Sequence, residues 1–318
     1  MTISIALCTY NGSAYLCDQL HSLAAQSRQP DELVICDDCS QDETVSLLHE
    51  FAANAPFSVR IIVNEINLGT AENFAQAINL CQGEVIALCD QDDLWHQNKL
   101  ARLEHLFQSN PKVALAFSDA DLIDGQGNFL NSRLWSQFSF SEPKQRQMET
   151  GQAFNSLLVQ NIVTGAAMAF RSEFKSLVLP IPYGQPLVHD AWIALLIAAV
   201  AELGLIEEPL ISYRQHERQQ TPLNVAGERI RPQDHFRDQV RQLEALAERL
   251  ALEGLKFNAQ KVPAALRLLR AKIAHIKTRT NLPDYRLRRL MPALRELVTG
   301  HYHRYSNGWR SVARDLFF

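Results

Sequence analysis

Two aspartate clusters carry the densest chemistry in this sequence. Asp37-Asp38 follows the apolar run Leu33-Val34-Ile35-Cys36, and Asp90-Gln91-Asp92-Asp93 follows Val85-Ile86-Ala87-Leu88-Cys89. Aspartate is a good turn former and helix cap, which accounts for Asp42 and for Asp93. An Asp-x-Asp directly behind a buried strand is different, because packed like charges repel unless they share a cation or a set of donors. Two phosphate-binding signatures are missing. No G-x-G-x-x-G follows the first strand, no G-K-[ST] loop occurs, and Gly125-Gln126-Gly127 lacks the third glycine. Without a backbone cradle, carboxylates must hold phosphate indirectly. Oxygen ligands suit Mg²⁺ or Mn²⁺, which bridge one or two carboxylates to a diphosphate. Cys36 and Cys39 bracket the first pair, but no second cysteine pair completes a metal site.

Strand-length apolar segments and helix-period segments alternate through the front of the chain. Strands are predicted at Ile3–Cys8, Leu33–Cys36, Val59–Val63 and 83–89, with helices from Leu16, Thr44 and Thr70 between them. This βαβ rhythm, with strands apolar throughout, implies an α/β nucleotide-binding architecture, mostly parallel and covered on both faces. In such sheets ligands bind outside the carboxyl ends of the strands, so Thr9-Tyr10-Asn11, Asp37-Asp38, Asn64 with Asn67, and the 90–93 cluster share one cleft. Val113–Phe117 and Thr164–Phe170 read as further strands, Asp124–Asn128 as a hairpin turn, Ser136–Gln147 as a mobile loop and Ala191–Leu203 as a buried helix. Helical periodicity then dominates, with Val240, Leu243, Leu246 and Leu250, and later Leu266, Leu269, Ile273 and Ile276, in register. On this pattern the chain divides into residues 1–226, with a nucleotide-binding half 1–110 and an acceptor half 111–226, and a basic helical extension 227–318.

Composition narrows the class. The chain has 318 residues, 47% of them hydrophobic and 21% charged, which excludes disordered, collagenous and coiled-coil readings. The longest apolar run, Ala191–Ala201, spans 11 residues, well short of the roughly 18 that a membrane span needs. No signal peptide is recognisable at the N-terminus. All six cysteines fall in the first 89 residues, a distribution that suits free thiols in a reducing cytoplasm rather than a disulfide framework. The net charge of −4 conceals a split, −14 over residues 1–225 and +10 over 226–318. An acidic front and a basic tail suggest two partners, although solvated helix arginines are the plainer reading.

Taken in order, these segments resemble family-2 glycosyltransferases with the GT-A fold. The resemblance rests on Ile5-Ala-Leu-Cys-Thr9-Tyr10-Asn11-Gly12, Val34-Ile-Cys-Asp37-Asp38, Asn67-Leu-Gly69 with Asn73, and 83–95 ending in Asp90-Gln91-Asp92-Asp93-Leu-Trp95. Thr164-Gly165, His189-Asp190-Ala-Trp192 and Tyr213-Arg214-Gln-His216 are similar to the family's distal elements, in the form seen in bacterial rhamnosyltransferases that build surface polysaccharides such as lipopolysaccharide O-antigen. The resemblance runs from residue 3 to about 220. It implies that Thr9, Tyr10, Asn11 and Asp38, with Asn67 and Gly69, hold the nucleoside of a nucleotide-sugar. Asp90 lies near the ribose, Asp92 and His216 bind the metal, Arg214 meets the diphosphate, and Asp190 is the catalytic base. Gly165, His189, Trp95 and Trp192 are candidate acceptor or sugar contacts, the tryptophans being equally good core residues. His189 stands where many relatives have glutamate, and Gln219-Gln220 where they often have asparagine.

The implied activity is inverting, metal-dependent transfer from a dTDP- or UDP-linked sugar, with dTDP-rhamnose the favourite, to a hydroxyl of a glycan or lipid-linked acceptor. A nucleotidyltransferase and a non-catalytic sugar-binding or scaffold relative are the alternatives. The basic tail, with Arg286, Arg288, Arg289 and the aromatic residues Tyr302, Tyr305, Trp309, Phe317 and Phe318, is expected to face the anionic inner surface of a membrane. A homo-oligomer interface is its competing use, and no nucleic-acid-binding module is recognisable.

Overall fold

The computed structural model describes residues 1–182, 189–217, 232–283, 285–306 and 308–317. Among them, nine strands form one sheet: β1 (Ile3–Thr9), β2 (Glu32–Asp37), β3 (Ser58–Val63), β4 (Val85–Asp90), β5 (Leu94–Trp95), β6 (Val113–Ile123), β7 (Phe129–Arg133), β8 (Met168–Arg171) and β9 (Glu202–Arg214). The order across the sheet is 3-2-1-4-8-6-9-5, with β7 attached to β6. β1 to β4 are parallel, linked by helices α1 (Leu16–Ala24), α2 (Thr44–Asn54) and α3 (Thr70–Leu80). β8 then runs antiparallel between β4 and β6, while β9 is parallel to β6.

Period-two alternation splits the central strands between two cores. Ala6, Cys8, Val34, Cys36, Ile86 and Leu88 pack towards Phe74 of α3 and the helix His189–Val200. Ile3, Ile5, Leu7, Leu33, Ile35, Ala87 and Cys89 pack towards α1 and helix α4 (Lys99–Ser109). Both faces are covered, which is why these strands are apolar through most of their length.

Several elements differ from the sequence reading. β8 begins only at Met168, because Gly165–Ala167 first makes a tight 3₁₀ turn. The helix expected to reach Leu203 stops at Val200, and β9 starts at Glu202. Ser136–Gln147 is not a plain loop; the short helices Leu134–Gln137 and Glu142–Gln147 occupy much of it. β9 had no sequence signal, since Glu207-Glu208-Pro209 interrupts its alternation, and the β6–β9 register shifts at Ser118/Asp119, opposite Pro209. The Asp124–Asn128 turn does close a hairpin between β6 and β7.

The helix His189–Val200 is apolar on every side and needs cover beyond the sheet. Helices Pro232–Arg249 and Val262–Thr280, with the helical turn Leu250–Gly254 between them, supply it, burying Leu243, Leu246, Leu250, Leu269 and Ile276 in the same core. Beyond them, helices Arg286–Val298, His301–Tyr305 and Trp309–Phe317 share a small cluster of Ala293, Tyr302 and Val312. The expected boundary at 226/227, Gln219-Gln220 and Phe318 lie outside the described residues. No helix among those described is long and apolar enough to cross a membrane.

Candidate active site

Parallel pairing brings the strand ends level, setting Thr9 beside Asp37 and Cys8 beside Asp90. They open onto a cavity of about 700 Å³ whose wall includes Thr9, Tyr10, Asn11, Asp38, Asp90, Asp92, Gly165, His189, Asp190 and His216. The first wall is laced together by short polar contacts. Thr9 Oγ1 donates to Asp37 at 2.7 Å, Asn11 Oδ1 accepts the Gln41 amide at 2.8 Å, and the Tyr10 amide donates to Gln91 Oε1 at 2.8 Å. Gln91 Nε2 returns a bond to the Tyr10 carbonyl at 3.1 Å, fixing the β1 end to the β4 end. In the sequence Gln91 is merely the spacer of Asp-x-Asp, and nothing there singles it out.

Asp38 lies in the cavity wall, yet its carboxylate is committed to the protein. It accepts the amides of Leu68 at 2.7 Å and Gly69 at 2.8 Å, and Asn64 Nδ2 at 3.0 Å. Those bonds shape the turn that starts α3, where Gly69 sits at φ 85°, a conformation that favours glycine. Asn67 and Gly69 thus belong to the turn behind the wall, while Thr70 and Asn73 of α3 line the cavity itself.

Across the cavity, Asp92 Oδ2 faces His216 Nε2 at 2.8 Å, and the Tyr15 ring packs 4.7 Å from the imidazole. Asp93 is buried, one oxygen accepting the Arg214 amide at 2.9 Å and the other left without a hydrogen bond. Loss of hydration, then the neighbouring Asp92 and Asp190 charges, push the Asp90 carboxyl up to about 7. Burial and the same neighbourhood raise Asp93 as well. A buried counter-charge to these carboxylates is Lys99, whose ammonium donates to the Ala166 carbonyl at 2.5 Å and is itself pushed down to about 7 by burial. The Asp92–His216 pair, with Asp90 and Asp190 on the same cavity wall, has the oxygen and imidazole chemistry that would suit a divalent cation. Sequence reasoning misses Lys99; its one signal is that it is the first lysine of the chain.

Arg214 does not reach the cavity. It is 2% exposed, and Nε donates to the Asp92 carbonyl at 2.7 Å while Nη1 reaches the Gly125 carbonyl at 3.3 Å. The guanidinium braces the acidic loop from behind, over the Tyr15 ring; the expected diphosphate contact is therefore corrected to a supporting one. Trp95 and Trp192 are corrected likewise. Trp95 is buried beneath Lys99, whose nitrogen sits 3.5 Å from the ring centre, and Trp192 donates to the Val178 carbonyl at 2.8 Å inside the core.

On the remaining wall, Asp190 opens the helix His189–Val200. Its carboxylate accepts the Gly165 amide and Asn161 Nδ2, both at 3.2 Å, and its own helix amide at Ala191 at 2.5 Å. Burial nevertheless dominates, lifting its pKa to about 6. His189 is stacked on Phe74 with centroids 4.0 Å apart, and both ring nitrogens are buried without partners. Burial drives its pKa down to about 3, so the ring is neutral. A Cβ on Gly165 would come 2.7 Å from His189 Nε2, so only glycine leaves room for this imidazole.

Residues 4–176 match the family described as Glycosyl transferase family 2. The chain is 29% identical over 223 residues to an uncharacterized glycosyltransferase of Nostoc sp., covering 68% of this chain and 65% of that one. It is 30% identical over 130 residues to the putative teichuronic acid biosynthesis glycosyltransferase TuaG of Bacillus subtilis, covering 41% and 50%. The matched stretch is thus less than two thirds of either relative's length. In three dimensions it is similar to TarS of S. aureus, residues 1–349, solved with UDP-GlcNAc. The TM-score is 0.61 at 15% identity, with 99% of this chain and 91% of that chain covered.

Proposed function

The chain belongs to glycosyl transferase family 2, and from that premise we propose that it transfers a sugar from a nucleotide-sugar to an acceptor hydroxyl with inversion. The observation that carries this reading is the convergence of Asp38, Asp90, the Asp92–His216 pair and Asp190 on one cavity. Thr9, Tyr10, Asn11 and Asp38 form the nucleoside wall, with Asn67 and Gly69 holding its turn. Asp90 stands near the ribose. Asp92 and His216 would hold Mg²⁺ or Mn²⁺, which when bound supplies positive charge to the departing diphosphate.

Asp190 performs the proton transfer. It accepts the proton of the acceptor hydroxyl while that oxygen bonds to the anomeric carbon and the bond from that carbon to the diphosphate oxygen breaks. One displacement gives one inversion. The Gly165 amide and Asn161 orient the carboxylate towards the cavity, and its raised pKa brings it closer to the strength a base needs near neutrality. Gly165 and His189 flank the acceptor side.

A dTDP- or UDP-linked donor is the favoured class, with rhamnose first on the His189-Asp190-Ala-Trp192 and Tyr213-Arg214-Gln-His216 forms. The similarity to a putative teichuronic acid enzyme supports a role in bacterial surface-polysaccharide synthesis. A lipid-linked acceptor would bring the enzyme to an anionic membrane surface. The test is calorimetric titration of UDP, dTDP and GDP, each with Mn²⁺ and with EDTA, on the wild type and Asp92→Asn. Metal-dependent binding of one nucleotide that the variant loses supports the reading; no binding of any nucleotide overturns it.

A further inference from the structure

Helix Arg286–Val298 has two apolar faces, and only one of them is covered. Ala293 is buried and Leu297 partly so, against Tyr302 and Val312. Leu287, Leu290, Met291, Leu294 and Val298 all point to solvent, with Leu287 68%, Met291 76% and Val298 84% exposed. Their spacing of i, i+3, i+4, i+7 and i+11 puts them in one sector about 100° wide. Arg286 lies at one edge of that sector, and Arg288 and Arg295 lie at the other. On the adjoining helix Trp309–Phe317, which packs against this one, Trp309 and Phe317 are also exposed, 64% and 61%.

The charge around this face has one sign. Residues 286–317 contain seven arginines and two acids, Glu296 and Asp315. Both acids are buried and paired inward. Glu296 accepts from His275 at 2.6 Å and His301 at 2.9 Å, and Asp315 takes Arg279 at 2.6 and 2.9 Å and the Tyr302 hydroxyl at 2.8 Å. No acidic side chain among the described residues of this segment is left on the surface.

We propose that the Leu287–Val298 stripe, with Trp309 and Phe317, is a docking face for an anionic lipid bilayer. The helix would lie in the plane of the headgroups, its apolar sector in the acyl boundary and its arginines at lipid phosphates. A second copy of the chain fits less well. A two-fold contact through this face would set arginine against arginine with no acid to pair them. The face defined by the fold differs from the one expected from the sequence: Tyr302 and Tyr305 are buried, and the apolar contacts come from Leu287, Leu290, Met291, Leu294 and Val298 instead. This docking is independent of the donor chemistry.

The full chain, incubated with vesicles of phosphatidylglycerol and phosphatidylcholine or of phosphatidylcholine alone, tests it by sedimentation without any sugar substrate. Binding is expected to the mixed vesicles only and to fall as salt rises. Arg288→Gln with Arg295→Gln should weaken it by about fivefold for each arginine. Leu290→Ser, Met291→Ser and Leu294→Ser together should weaken it by about tenfold or more. These positions are exposed, and unchanged circular dichroism and thermal unfolding of both variants serve as the check that each is folded. No sedimentation with anionic vesicles, or sedimentation of both variants equal to that of the wild type, overturns the proposal. So does a concentration-dependent dimer that the serine variant dissolves in the absence of vesicle binding.

Discussion

Asp190 and His189 are adjacent and shifted in opposite senses by the same cause. Burial disfavours the charged form of each, so the carboxyl is pushed up to about 6 and the imidazole down to about 3. The base is therefore protonated below about pH 6 and free above it. Accordingly kcat/KM should fall as the pH drops through about 6, and an activity profile flat from pH 5 to 8 would contradict Asp190 as base. Asp190→Asn should cost ~10²–10⁴ in kcat while calorimetric nucleotide binding stays within a few-fold. Behind the site, Lys99 offsets the burial of Asp90 and Asp93. Lys99→Met leaves those carboxylates without it and should destabilise the fold by about 3 kcal/mol in urea titration. Loss below about 1 kcal/mol would mean that water reaches the carboxylates.

At the scale of elements, the site is a problem of holding loops rather than placing strands. The strands stop level because parallel pairing fixes their register, and the loop after each strand is pinned by a polar side chain from another. Asp38 holds the turn into α3, Gln91 holds the β1 end, and Arg214 at the end of β9 holds the Asp-x-Asp loop. Asp38→Ala removes the acceptor of three buried or half-buried N–H groups. It should cost about 2–3 kcal/mol and weaken nucleotide binding through the displaced turn. Urea denaturation and calorimetry read the two effects separately. A variant of wild-type stability would show that water replaces the carboxylate there.

Over the whole molecule, the C-terminal helices attach in two ways. Residues 232–280 share the main apolar core, whereas 286–317 hang on a small cluster and a polar network. In that network, burial lowers the His275 pKa against the pull of Glu296, with Arg279 and His301 adding to the lowering. Burial alone would raise Glu296, but its bonds from His275 and His301 outweigh it and the net shift is down. Both folded values lie below the unfolded ones. Their stabilisation is therefore present above about pH 6.5 for the histidine and about pH 4.3 for the glutamate, and is lost as pH falls through those ranges. Amide hydrogen exchange should report acid unfolding of residues 286–317 before that of the sheet, and Glu296→Gln should move that transition to higher pH. Coincident loss of both signals would mean that the two parts unfold as one.

The sequence by itself determined the strand–helix rhythm of the first half, the two cores, and the order in which the aspartates arrive at the strand ends. Period-two and period-3.6 patterning are local, and a βαβ connection leaves little freedom once they are set. Asp90 and Asp92 were legible because an Asp-x-Asp directly behind a buried strand is poorly explained as a turn alone, whereas Asp190 and His216 stood out only through the family resemblance. What only the tertiary structure decided is which way individual side chains turn once the elements have packed. Arg214 went behind the loop and not into the cavity, Trp95 and Trp192 went into the core, and Lys99 came to face Asp90 and Asp93. β9 was invisible because its interrupted pattern is rescued by a long pairing with β6. The exposed stripe at Leu287–Val298 could not be told from a buried one, since periodicity shows that a helix has an apolar face but not whether anything covers it.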